Sequence, residues 1–281
     1  MFLQLFKKKK YNKQAKELRD ETIPKTKVSN KDINDQIAVR KGEIGEYKID
    51  IQLDQFPKEY KHLSDIMVRN QKSSSGFSQI DHILISPFGI FVIETKNYKG
   101  TIYGGKNRKE WSVNGKFKMM NPFTQNYGHI KVLKSMIDSK YHDNFISIVS
   151  FTKRCTFKVD LEMRKITSNE LIVYDVELSE FINRKINVLK LQNKNSVISD
   201  EEIESIYNML SDANITETEL IEKHKSIIVK KKEENDAKKN NQGTHKCVMC
   251  NKPVSEKVAA FCLSNKKFAG NIYCYQHQKK I

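Results

Sequence analysis

The chain has 281 residues and is 38% apolar, roughly 42% with its 11 glycines, which is enough for a sizeable core and excludes wholesale disorder. No run approaches the length of a membrane span, and the apolar opening of residues 1–6 precedes four lysines, the reverse of a signal peptide's order, so a cytoplasmic chain is expected. The net charge of +16 sits at the ends: 10 basic against 3 acidic residues in 1–31, 7 against 1 in 243–281, and only 33 against 30 between them.

Cationic ends suit a phosphate backbone, whose condensed counterions are released by each Lys or Arg contact. A solvated tail is the alternative for the N-terminal run. Phe2-Leu3-Gln4-Leu5-Phe6 followed by Lys7, Lys8, Lys9 and Lys10 also allows a weak membrane-surface contact.

In chain order, residues 7–30 lack periodicity and read as an arm. A helix is expected over 32–53, with Ile37, Ile44, Tyr47 and Ile51 at three- and four-residue steps. A strand near 66–69 and a Ser-rich loop ending at Gly76 precede two strongly apolar strands, 79–85 and 90–96. Ser86-Pro87-Phe88-Gly89 joins these as a turn, so a hairpin is expected. Shorter strands near 100–103 and 111–118 follow, with Asn114-Gly115 as a hairpin turn. Asn121-Pro122 opens a helix reaching about 138. Strands at 144–151 and 171–176, helices at 180–191 and 200–210, and a charged helix fading into a linker near 242 complete the pattern.

The first hairpin carries the chemistry. If Pro87-Phe88 is a plain two-residue connection, opposed residues sum to 175, and Asp81 faces Glu94 with Lys96 one step along the same face. A bulge at Gly89 would instead bring Glu94 opposite His82. Two opposed carboxylates in an apolar hairpin are destabilising unless compensated, and a divalent cation with oxygen ligands, Mg²⁺ or Mn²⁺, would compensate them. Lys96 beside them could position or help deprotonate the attacking water, or stabilise charge developing on a phosphate. Spacing alone also allows a simple Glu94–Lys96 pair with Asp81 at a sheet edge.

The order of motifs adds weight. Gly42-Glu43-Ile44-Gly45-Glu46, Gln79-Ile80-Asp81-His82-Ile83, Gly89-Ile90-Phe91-Val92-Ile93-Glu94-Thr95-Lys96-Asn97 with Gly100, and Asn121-Pro122-Phe123-Thr124-Gln125 resemble one branch of the PD-(D/E)xK nuclease superfamily, the nuclease-related domain, NERD. The resemblance spans about residues 36–150. It implies an α/β, restriction-endonuclease-like fold, a mixed central sheet flanked by helices. It implies Asp81 and Glu94 as ligands for Mg²⁺ or Mn²⁺, Lys96 as the catalytic lysine, Glu46 as an acidic residue lent by the first helix and Gln125 as a helix residue facing the site. Ile80 stands where the superfamily has its leading proline. His82 and His129 are candidates for support only.

Cys247-x2-Cys250 and Cys274-x2-His277 have the paired spacing of a structural zinc site, and four of the five cysteines fall in the last 35 residues. Cys262 could replace His277 or be a buried small residue. Lys252, Lys257, Lys266 and Lys267, with Phe268, Tyr273 and Tyr275 among them, make a candidate nucleic-acid surface. A protein-binding module on the same zinc site is the alternative, and NERD proteins can carry zinc modules resembling topoisomerase fingers.

The expected organisation is a basic arm at 1–31, a nuclease-related domain at 32–160, an α/β extension at 161–213, a charged helix and linker at 214–242 and a zinc module at 243–281. The function it implies is a metal-dependent nuclease, a hydrolase cleaving DNA phosphodiesters, with Zn²⁺ as structural and Mg²⁺ or Mn²⁺ as catalytic ion. The competing readings are a non-catalytic nucleic-acid-binding or scaffold protein that keeps the fold, and a membrane-surface adaptor anchored by residues 2–10.

Overall fold

The structure is a computed structural model that describes residues 30–193, 195–240 and 245–281, with side chains from residue 40 onward except at 41, 43, 232 and 235–240. The basic arm up to residue 29, its membrane-surface segment and residues 241–244 of the linker lie outside the described residues. The chain divides into two compact units, residues 1–45 and 46–281, and the sheets and cores belong to the second.

Five strands form the main sheet, lying side by side in the order β1 (Lys61–Arg69), β2 (Phe77–Ser86), β3 (Gly89–Lys96), β7 (Phe145–Phe151) and β9 (Glu170–Tyr174). The first three are antiparallel neighbours, whereas β7 and β9 run parallel to β3, so the sheet is mixed. Sequence periodicity explains the layering. In β3, Ile90 and Val92 enter one core with Ile83, Ile85 and Leu133, while Phe91 and Ile93 enter another with Leu84, Ile148 and Leu171. Helix α2 (Pro122–Lys134) and helix α4 (Asp200–Asp212) contribute Val132, Leu133, Ile203, Ile206 and Leu210 to the first core. Helix α1 (Asn30–Leu53) and helix α3 (Leu178–Gln192) contribute Ile49, Leu53, Phe181, Ile182 and Ile186 to the second. The expected mixed sheet flanked by helices is the fold that forms.

A second sheet extends the first, with β6 (Phe117–Met120), β5 (Glu110–Val113), β4 (Gly100–Tyr103) and β8 (Cys155–Lys158) side by side in that order. The parallel pair β3–β7 continues into the parallel pair β4–β8. Asn114 and Gly115, both at positive φ, make the tight turn between β5 and β6, closed by Lys116 N–H donating to the Val113 carbonyl. Strand β8, four residues behind a turn, carries no periodic signal and was not expected.

Helix α1 corrects one reading. Tyr47 and Ile51, expected in its apolar stripe, are exposed, whereas Ile49 and Leu53 are buried. Glu46, Ile49, Asp50 and Leu53 share one helical face, and Asp50 reaches Ser64 and His82 across it. Docking that mixed face turns Tyr47 and Ile51 outward.

The segment past β9 belongs to the same cores. Val197 and Ile198 N–H groups both donate to the Pro87 carbonyl at the hairpin tip, and Ile215 N–H donates to the Met67 carbonyl on edge strand β1. Helix α5 (Thr218–Asn240) begins on that edge, packing Leu220 and Ile221 on Met67 and Phe77.

Candidate active site and metal centre

The hairpin follows the 175 register from Ser86↔Gly89 to His82↔Ile93 and stops there. No bulge at Gly89 shifts it. Asp81 and Glu94 would be the next pair, but the strands diverge at that point. The Asp81 carboxylate instead takes two hydrogen bonds on Oδ2, from Thr95 N–H at 2.7 Å and from the Thr95 hydroxyl at 2.8 Å. Like charges directly opposed in an apolar ladder are costly, and parting the strands relieves them while Thr95 satisfies one carboxylate. Opposite Asp81 on β1, Asp65 holds a positive φ of 52° and accepts a hydrogen bond from Gln79.

Glu94 pairs with Val149 of the parallel neighbour and is 2% exposed. Its Oε1 accepts from Lys96 Nζ at 2.5 Å and from Gln125 Nε2 at 2.7 Å, and Lys96 Nζ also donates to Gln125 Oε1 at 3.0 Å. Its Oε2 is buried without a hydrogen-bond partner, 3.5 Å from His129 Nδ1. Burial and then the Asp81 charge push the Glu94 carboxyl up to about 7. Burial opposes the charge on Lys96, yet Glu94 beside it wins and holds the ammonium above its ordinary range. Burial also drives His129 down to about 4, which keeps its ring neutral. Glu46 is raised by burial first and by Asp81 next.

Helix α2 positions Gln125 and His129. Asn121 caps it by accepting from Phe123 N–H, with Pro122 at the first turn. Fully buried Asn126 pins it to the sheet, donating to the Val92 carbonyl at 2.8 Å and to the Ser147 hydroxyl at 2.9 Å. The sequence had given no role to Asn126 or Thr95, and it named His82 for support without Asp50 and Ser64, its partners in the cluster. In that cluster His82 Nδ1 lies 3.0 Å from Ser64 Oγ and 3.1 Å from Asp50 Oδ1. Both partners share one ring nitrogen, so Ser64 is not activated as a triad nucleophile would be. His82 supports the fold between α1 and β2.

The residues fit a divalent cation in kind. Glu94 Oε2 is a buried carboxylate oxygen with no hydrogen bond, and both bonds to Asp81 fall on Oδ2, leaving Oδ1 open. The carboxylates of Glu46, Asp81 and Glu94 are not, however, drawn together. Among the described residues, only Cys247, Cys250, Cys274 and His277 bring three or more ligating atoms within 4.8 Å of one another.

That second group has the dimensions of a tetrahedral site. Cys250 and Cys274 sulfurs are 3.7 Å apart, and His277 Nδ1 lies 3.4 Å from the sulfurs of Cys247 and Cys274. Zinc bonds of about 2.3 Å to sulfur and about 2.0–2.1 Å to nitrogen give tetrahedral edges of roughly 3.5–3.8 Å. The four side chains can therefore hold a metal such as zinc. Asn251 at positive φ closes the first knuckle, its N–H donating to the Cys247 carbonyl. Cys262 stays outside the group: it is buried, accepts from Gln278 Nε2 at 3.2 Å and meets the Tyr273 backbone. Of the candidate surface residues, Lys252, Lys257, Lys266 and Lys267 are exposed, as is Tyr275, with Lys279 over its ring. Phe268 is buried and Tyr273 is half-buried against it, so these two rings build the module's small core.

Fold and sites together define a class: an α/β domain with Asp81, Glu94 and Lys96 where the antiparallel strands β2 and β3 part, followed by a Cys3His group that can hold a metal. Residues 41–152 match the family model described as nuclease-related domain, NERD. The chain is also 30% identical over 188 residues to an uncharacterised protein of Bacillus anthracis, a match that covers 66% of this chain and 82% of that relative. The chain belongs to the nuclease-related domain family. No solved structure matches it. Among the described residues no helix is long and apolar enough to cross a membrane.

Proposed function

We propose that the protein is a metal-dependent nuclease that hydrolyses phosphodiester bonds of nucleic acid, with DNA as substrate. The observation that carries this reading is Glu94: a carboxylate 2% exposed, with one oxygen unpaired, beside a lysine at the parting of two strands. A scaffold that only binds phosphate has no use for buried negative charge, which repels its ligand.

Asp81 and Glu94 would hold Mg²⁺ or Mn²⁺, which would neutralise their repulsion and polarise the scissile phosphate. Thr95 fixes the Asp81 carboxylate through Oδ2 and so aims the other oxygen. Lys96 lies within hydrogen-bond reach of both Glu94 and Gln125 and can turn its ammonium to a phosphate oxygen or to the attacking water. Gln125 then takes up Glu94 Oε1 in its place, as its Nε2 already bonds that atom. Glu46 adds acidic charge from α1. Cys247, Cys250, Cys274 and His277 would hold structural Zn²⁺, and Lys252, Lys257, Lys266, Lys267 and Tyr275 would contribute substrate contacts, while Tyr273 packs on Phe268 in the module's core.

Purified protein incubated with plasmid and single-stranded substrates, with Mg²⁺, Mn²⁺ or chelator, tests the proposal. Metal-dependent cleavage lost in Asp81→Asn is expected. Binding without cleavage under every metal condition would establish the non-catalytic reading instead.

A further inference from the structure

The near-neutral body of the chain is not evenly charged. Residues 96–158, which hold Lys96, α2 and the whole second sheet, carry 13 basic and 3 acidic side chains. The remainder of 32–242 carries 20 basic and 27 acidic ones. A sum near zero had concealed a strongly cationic stretch within an otherwise acidic body.

Within that stretch Lys106 is neutralised by Glu170 and Lys118 by Glu110, whereas Lys99, Arg108, Lys109, Lys116 and Arg154 are exposed and have no ion pair among the described residues. Each sits on a segment hydrogen-bonded to the end of β3, to β4 behind it or to the cap of the helix that presents Gln125. Thr152 N–H donates to the Lys96 carbonyl and Gly100 N–H to the Arg154 carbonyl, which sets Lys99 and Arg154 beside the end of β3. Asn114, at the turn before Lys116, bonds Thr101 through both its backbone and its side chain. Asn121, the cap of the helix that presents Gln125, donates to the Arg108 carbonyl at 2.9 Å, and its N–H donates to the Lys109 carbonyl at 3.0 Å. Phe117, between Lys116 and Lys118, is exposed and offers a ring to a base or sugar.

We infer that the second sheet and its loops are the surface on which the phosphate backbone of nucleic acid docks, and that they deliver it to Lys96 and Glu94. The kind of partner rests on the nuclease reading. The placement rests on charge complementarity and on the hydrogen bonds that tie the segments carrying these five cations to β3, β4 and the cap of α2. The acidic excess in the rest of 32–242 also favours this stretch of the body for a polyanion. The main docking surface is therefore on the body, and the cationic ends add to it.

The test measures binding alone. Fluorescence anisotropy of a short labelled DNA duplex with the full chain, in chelator for divalent cations other than tightly held zinc, gives the slope of log affinity against log salt. Each lost phosphate contact removes about 0.9 from that slope. The variant Lys99→Gln, Arg108→Gln, Lys109→Gln, Lys116→Gln, Arg154→Gln is expected to flatten it by about 3 to 4 and to weaken binding at least about tenfold. A control with the same charge loss elsewhere, Lys58→Gln, Lys72→Gln, Lys190→Gln, Lys223→Gln, Lys225→Gln, is expected to change it by less than about 1. An unchanged slope in the first variant, equal flattening in both variants, or a parent that binds no duplex each overturns the inference. Failure of the nuclease reading shows separately, as no cleavage with Mg²⁺ or Mn²⁺ while the difference between the variants persists. Lys116→Glu alone, on an exposed turn, repeats the test if the fivefold variant folds poorly.

Discussion

Glu94 pays for its position in stability. Its carboxyl titrates near 7 in the fold against an ordinary 4.5, so the folded chain binds an extra proton between those values. Stability that is present below about pH 4.5 is therefore lost as the pH rises toward 7, on the order of 2–3 kcal/mol for this group alone. Glu94→Gln should remove that part of the pH dependence and make the metal-free protein more stable at pH 8, as read by thermal unfolding across pH. A variant whose pH profile overlays the parent's would show that Glu94 is not under this strain. Asp81→Asn should likewise leave the melting temperature unchanged or raise it, because it relieves repulsion in the same rim while keeping side-chain volume. Lys96→Ala should act oppositely on its neighbour, pushing the Glu94 carboxyl higher still by removing its cation. Both changes should abolish metal-dependent cleavage, and undiminished cleavage in either would displace the site from this rim.

At the scale of elements, a buried amide pins helix α2 to the sheet beside the packing of Val132 and Leu133. Asn126→Ala leaves the Val92 carbonyl and Ser147 hydroxyl without that donor, so a loss of about 1–3 kcal/mol is expected. Cleavage should fall further than stability, since Gln125 is the preceding residue; a melting curve beside a rate measurement separates the two. If the Cys3His group holds zinc as proposed, Cys274→Ser should release one equivalent of it and remove the C-terminal module's protection from proteolysis, because its few buried residues cannot offset the ordering entropy alone. Cys262→Ser should retain the metal, as its sulfur meets Gln278 and the Tyr273 backbone outside the ligand group.

These elements were unequally legible in the sequence. The hairpin, its two-residue turn and its register were readable because alternating apolar residues and Ser86-Pro87-Phe88-Gly89 are local signals. The divergence at Asp81 was not, since it arises from charge meeting charge across strands and from a Thr95 hydroxyl that periodicity ignores. The Cys3His group was readable from spacing, which knuckle geometry fixes within four residues. The burial of α1 was misread because Ile44, Tyr47 and Ile51 make a better apolar stripe than the mixed face that docks.

At the scale of the whole molecule, the family match ends at residue 152, one residue beyond β7, but the cores do not. Ile198, Ile203, Ile206 and Leu210 complete one side of the sheet, and Leu171, Val173, Leu178 and Ile182 complete the other. Cutting the chain at 152 would strip β9 from β7 and leave seven consecutive buried residues along a bare edge. The shared stretch is thus a chemical signature that cannot stand as a folding unit. Expressed alone, residues 41–152 should aggregate, whereas 41–215, which keeps α3, α4 and the return to β1, should stay in solution and melt cooperatively. The boundary that inheritance draws around the family motif and the one that water draws around the fold fall some sixty residues apart, so the later segment is as much part of the folded domain as the motif that names it.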